Sequence, residues 1–295
     1  MFCLPSVSAM KAMQSPMQMN ADRSATESER YSAVQTLSLV SGKGGDGRTA
    51  IALNLAVALA RSKSQVVLFD ANLSLGNLDL CMNVRQDFNI ADVVANDKDI
   101  NEVVVQGPHN ILLVPSPHGD PEMSHLSQIQ HYGIINSFSN LATDADIMLI
   151  DNEAGISRSV VDFTHAAREV LLVVCDEPAS LQNAFATIKA LSASNNCYRF
   201  RVIANKVDSS QHGLEVYSDI CRRTDRYLDV LLEYCGAIPY DEALASASRD
   251  GKAVVETHIG SKSARSIEKL AAKIKQWPKP LEPKGQAEFF VERLV

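Results

Sequence analysis

Gly42-Lys43-Gly44-Gly45-Asp46-Gly47-Arg48-Thr49 has the residue types and spacing of an anion-binding turn. Four glycines let the backbone curl so that successive N–H groups point inward. A helix beginning just after them adds the positive end of its dipole. The pattern reads G-x-x-x-x-G-[K/R]-[S/T], a phosphate loop with Arg48 where lysine is usual. The corresponding chemistry is recognition of nucleotide phosphates. A glycine cluster alone would carry little weight. Here it lies between an apolar strand candidate and a helix candidate, with a further apolar strand ending in Asp151.

Positioning such a loop takes a sheet. QTLSLV (35–40) reads as the strand before it, and AIALNLAVALARS (50–62) as a buried helix after it. Further apolar strands fall at 65–70, 110–116, 145–151, 168–176, 200–208 and 229–236. Helices are expected at 121–142, 157–167, 178–193 and 213–227, with Pro178 near the first position of its helix. Strands that are apolar throughout, alternating with helices, predict an α/β fold. This is a doubly wound, mainly parallel sheet with helices on both faces. Its ligand edge lies at the strand C-termini.

The 295 residues are 46% hydrophobic and 21% charged, which excludes fibrous and wholly disordered classes. The net charge of −7 disfavours nucleic acid as a partner, although Arg222, Arg223 and Arg226 form a small basic group. The six cysteines show no zinc or C-x-x-C spacing and fit a reducing cytosol. The seven histidines lack metal-site spacing and read as solvated or loop residues. Three regions follow: a flexible arm (1–34), the nucleotide-binding-type domain (35–277), and a Pro-rich linker with a terminal helix (278–295). In that last region Ala287, Phe290, Val291, Leu294 and Val295 share one helical face.

Lys43 beside two glycines resembles the deviant Walker A motif K-G-G-x-G-K-[T/S] of the MinD/ParA ATPases. LFDANLSLGNLDL (68–80) resembles that family's switch I, and LIDNEAG (149–155) its Walker B and switch II. VIANKVD (202–208) is similar to the strand carrying its adenine-contacting Asn, here Asn205. GAIPYDEALASASRDGKAVVE (236–256) is similar to its late I-P-x-D segment. The order of features is closest to flagellar-number regulators of the FlhG/FleN type.

The resemblance implies ATP or ADP with Mg²⁺, held by residues 42–49, Ala50 and Asn205. Thr49 and Asp151 would serve the metal, and Lys43 would reach across an ATP-dependent homodimer. It implies a regulator that positions or counts a polar or envelope machine. The expected partners are a flagellar GTPase, a switch-complex protein or a transcription activator. It also implies a cytoplasmic protein with weak or conditional contact with the inner membrane through the terminal helix. A static adaptor and an active ParA-like partition or cargo-positioning ATPase are the rival readings.

Departures from the family pattern fall on the hydrolysis slots. Arg48 replaces the lysine with a bulkier planar fork. Asn72 stands where switch I carries the catalytic Asp, and an amide cannot take a proton at neutral pH. Ala50 lacks a hydroxyl, and Asn152-Glu153 replace small residues or Pro. Asp46, if aimed at the phosphates, would repel them by about 1 to 4 kcal/mol at about 4 Å. Together these predict slow or absent hydrolysis.

Overall fold

The computed structural model describes residues 33–193, 197–279 and 281–294. In chain order the main elements begin with β1 (Gln35–Ser41), α1 (Arg48–Arg61), β2 (Val66–Ala71), β3 (Val105–Gln106), β4 (Leu112–Val114) and α2 (Gln128–Ser137). They continue with β5 (Ile147–Asn152), α3 (Arg158–Ala166), β6 (Glu169–Cys175), α4 (Pro178–Ala193) and β7 (Arg199–Val207). The last are α5 (Ser210–Thr224), β8 (Leu231–Pro239), α6 (Glu242–Arg249) and α7 (Lys262–Ile274). The sheet order is β3-β4-β2-β5-β1-β6-β7-β8, and every pairing is parallel except β3 with β4.

The central strands β1, β2, β5 and β6 are buried along their whole length, which is why their sequences do not alternate. On one face Leu37, Leu39 and Leu149 pack against Leu55 of α1 and Ile267 of α7. On the other, Phe69, Phe138 and Phe163 form a stack of tilted and edge-on rings. Parallel register places Asp70 of β2 beside Asp151 of β5, and Asp151 beside Leu39 of β1.

Two expectations are corrected. The stretch 121–142 is not one helix. It is a 3-10 turn at Pro121–His125, then α2, then a second turn at Phe138–Asn140. Ser127 restarts the helix: its hydroxyl accepts the Gln130 N–H, and its own backbone N–H donates to the Gln130 side-chain oxygen.

The C-terminal amphipathic helix is also absent. Residues 281–290 contain no regular helix, and Val291–Leu294 is a 3-10 turn. Phe289 and Phe290 are buried against the Phe69 cluster. Glu288 is buried against Arg168 at 2.5 Å. A helix that buried Phe289, Phe290 and Glu288 together would turn three consecutive positions, one of them charged, into the core, and the backbone here is irregular instead. Of the N-terminal arm, residues 1–32 lie outside the described residues.

Candidate functional site

The loop leaves the C-terminal end of β1 and enters α1 through Gly47, which sits in the left-handed region at φ 89°. Gly45 is left-handed too, at φ 92°. A Cβ on Gly44 or Gly45 would meet open space, whereas one on Gly47 would meet Asn205 Nδ2 at 2.4 Å. Among the described residues, the N–H groups of Gly44, Gly45, Asp46 and Gly47 donate to no protein acceptor. They lie at the start of a 14-residue helix. Free amides beside a helix N-terminus fit a phosphate chain.

Asp46 does not face that opening. Its carboxylate accepts the Ser180 hydroxyl at 3.1 Å from α4, and its backbone oxygen accepts Asn205 Nδ2 at 2.7 Å. Burial pushes its pKa up, partly offset by the Ser180 bond. The repulsion expected from sequence is therefore turned away from the loop mouth. Asn205 is buried beneath the loop and braces it, a role the sequence did not suggest. Lys206 adds a bond from Nζ to the Gly45 oxygen at 2.7 Å.

Arg48 turns inward. Its Nε donates to Asp151 Oδ1 at 2.6 Å and its Nη1 to Ser41 Oγ at 3.3 Å, both carboxylate and guanidinium being buried. The Thr49 hydroxyl, half-buried in the first turn of α1, has no protein partner among the described residues. Ala50 contributes its carbonyl, which accepts Asn54 Nδ2 at 2.8 Å. Lys43 pairs through Nζ with Glu177 of the same chain, at the exposed rim.

Asp70 completes the floor and was missed from the sequence, although it opens the switch I resemblance. It is 1% exposed and lies beside Asp151. Burial, then the neighbouring Asp151 charge, push its pKa up to about 7. Backbone N–H groups of Asn72, Asn77 and Leu78 converge on it at 3.2, 2.8 and 2.9 Å, wrapping switch I around the carboxylate. The Asn72 side chain faces away and donates to the Leu75 oxygen at 2.9 Å. Asn152 points to the other side of the sheet, donating to Ser38 Oγ and the Leu39 oxygen at 2.8 and 2.9 Å.

His118 bridges the switch I loop to the segment after β4. Its Nδ1 lies 2.7 Å from the Gly76 oxygen and its Nε2 3.0 Å from Asp79 Oδ2. His131 is buried and bonded to Asp162 at 2.8 Å. His131 is not the solvated loop residue expected, whereas His118, with its side chain 42% exposed on a loop, is one that has also found partners. Periodicity alone cannot reveal a histidine whose partner lies on another element.

A P-loop between β1 and α1, two adjacent buried carboxylates and a switch segment folded over them define a nucleotide-binding α/β protein. The chain belongs to the CobQ/CobB/MinD/ParA nucleotide binding domain family, whose pattern matches residues 37–254. It is 43% identical over 262 residues to the antiactivator FleN of Pseudomonas aeruginosa, covering 89% of this chain and 94% of that protein. It is 26% identical to the flagellum site-determining protein YlxH of Helicobacter pylori, over 80% of each chain. The septum site-determining protein MinD of Pyrococcus horikoshii, solved with Mg-ADP, superposes with a TM-score of 0.68 at 24% identity. That match covers 82% of this chain and 96% of the other.

Proposed function

We propose that this chain binds an adenine nucleotide at residues 42–49 and acts as a flagellar-number regulator through occupancy of that site, with slow hydrolysis. The partner favoured is a transcription activator. Likeness to an antiactivator over almost the full length of both proteins supports this choice.

One observation carries the reading: the phosphate side of the site is open and its metal side is closed. Four free amides are available for phosphate oxygens. Asp151, the acid expected to support Mg²⁺ with Thr49, is occupied by Arg48. A bound nucleotide with Mg²⁺ would supply the phosphoryl group whose transfer to water needs both a metal shell and a positioned water. Asn72 can orient a water but cannot take its proton. Lys43, at the exposed rim, would exchange Glu177 for phosphates across a homodimer. Asn205 Oδ1 accepts no protein hydrogen bond among the described residues and is the atom left for an adenine edge.

Among the described residues no helix is long and apolar enough to cross a membrane. Peripheral membrane contact would require Phe289 and Phe290 to leave the core.

Sedimentation velocity of the full chain, without nucleotide, with Mg-ADP and with Mg-ATP, tests the switch. A dimer with Mg-ATP alone is expected. A monomer in all three states refutes it, and brisk turnover refutes slow hydrolysis.

A further inference from the structure

At the opposite end of the sheet from the phosphate loop, a cavity of about 610 Å³ lies beside the starts of β6 and β7 and is closed in part by the C-terminal segment. Its lining includes His165, Arg168, Cys197, Tyr198, Arg199 and Lys284, and no Asp or Glu. The basic groups come from three separate parts of the chain. Arg168 leads into β6, Arg199 opens β7, and Lys284 comes from the C-terminal segment.

These cations are held in place but not used up. Arg168 Nη2 donates to the Glu282 oxygen at 2.6 Å, while its Nε is buried without a partner. Arg199 Nη2 donates to Glu169 at 2.5 Å, and its side chain is 43% exposed. Lys284 Nζ donates to the Ala167 oxygen at 2.5 Å. Burial holds the Lys284 amine below the ordinary lysine value. Glu169 and Glu288, the carboxylates paired with the two arginines, are buried outside the cavity lining. The opening is large enough for a small ligand. Two guanidinium groups and an ammonium arriving from three parts of the chain suit an anion with several oxygens and more than one charge, such as a phosphate monoester, better than a single carboxylate or an apolar group.

We propose that this cavity binds a phosphate ester, free or as a lipid headgroup, between Arg168, Arg199 and Lys284. The site is independent of nucleotide binding at residues 42–49, which follow the other end of β1. Because Lys284 belongs to the C-terminal segment, a bound phosphate ties that segment to the starts of β6 and β7.

Calorimetry of the full chain with sn-glycerol 1-phosphate, and pelleting with phosphatidylcholine vesicles with and without phosphatidylglycerol, test the site. Wild type is compared with Arg199→Gln and Lys284→Gln. Arg199→Gln leaves Glu169 paired with Arg201, so it remains informative if Lys284→Gln fails to fold. Binding of the soluble ester that weakens at least tenfold in the folded variants supports a free ligand. Phosphatidylglycerol-dependent pelleting that is lost in them, without soluble binding, supports a headgroup. The proposal is overturned if neither probe binds, or if wild type and variants bind alike.

Discussion

Replacing Asp70 by Asn should remove a pH dependence that the wild type cannot avoid. The carboxyl is buried beside Asp151 and titrates near 7 when folded, against an ordinary value of 3.8. It therefore holds its proton about 4 kcal/mol more tightly in the native state than in the unfolded chain. The folded value is raised, so the stabilisation is complete below about pH 4 and is lost as pH rises through 7. Asn carries no charge at any of these values. It still accepts from some of the Asn72, Asn77 and Leu78 amides, and any loss there is a constant offset. Urea unfolding followed by far-UV circular dichroism, without nucleotide or metal, reads both proteins from pH 4 to 8. The unfolding free energy of Asp70→Asn minus that of wild type should grow by about 4 kcal/mol across this range. Titrating groups that do not feel the Asp70 charge cancel in the difference. Parallel curves would refute the account of Asp70 as a carboxyl crowded by burial and by Asp151.

Restoring Arg48→Lys together with Asn72→Asp should raise single-turnover ATP hydrolysis at least tenfold, by freeing Asp151 and supplying a proton acceptor; an unchanged rate rejects these two positions as the block. Phe290→Ala should cost about 3–5 kcal/mol in chemical denaturation, because the ring is fully buried among Phe69-cluster residues. A loss below about 1 kcal/mol would mean that the C-terminal segment is not part of the core. Gly47→Ala should cost about 1–3 kcal/mol and abolish nucleotide binding, since the position is left-handed and a Cβ meets Asn205 at 2.4 Å. Thermal melts and fluorescent-nucleotide titration check both effects.

The sheet was legible because its strands are buried on both faces and its phosphate loop has fixed spacing. Strand and helix limits at β1, α1, β5, α3 and α4 agree with the sequence within two residues. The two-residue strand β3 was not legible, because so short a segment has no period. Nor was the break between Pro121 and Gln128, which depends on Ser127 capping a new helix after a largely polar, exposed stretch. At the site, the spacing placed the loop residues between β1 and α1, but the directions of their side chains were not legible. Whether Asp46 faces a phosphate or Ser180 depends on where α4 packs, and Asp70 gains its character from a neighbour 81 positions away in the chain. The C-terminal segment misled for a related reason. Its i, i+3, i+4 pattern is real, but Phe289 falls outside it and the ring cluster has room for both phenylalanines.

The unusual residues at the site are not loose substitutions in an otherwise standard loop. Arg48 holds Asp151 and Ser41, Asp46 receives Ser180, and the Asn72 amide closes its own turn on Leu75. Each contact needs the residue that departs from the family pattern. An apolar residue at 46 cannot accept the Ser180 proton, and an Asp at 72 would set a carboxylate against a carbonyl oxygen. A lysine at 48 offers a point charge where the guanidinium spans two partners. Reverting Arg48 or Asp46 alone should therefore leave a buried group short of a partner, at about 1–3 kcal/mol for a neutral group and more for a charge. The Arg48–Asp151 pair is the costliest to break, because Asp70 already crowds the same carboxylate. Under the proposed slow hydrolysis, faster turnover requires either several changes together or a metal ion that replaces the guanidinium at Asp151. The contacts of Asp46 with Ser180 and Asn205 also fix the loop's open amides in place, so the chain presents a preformed cradle for phosphate at any rate of hydrolysis.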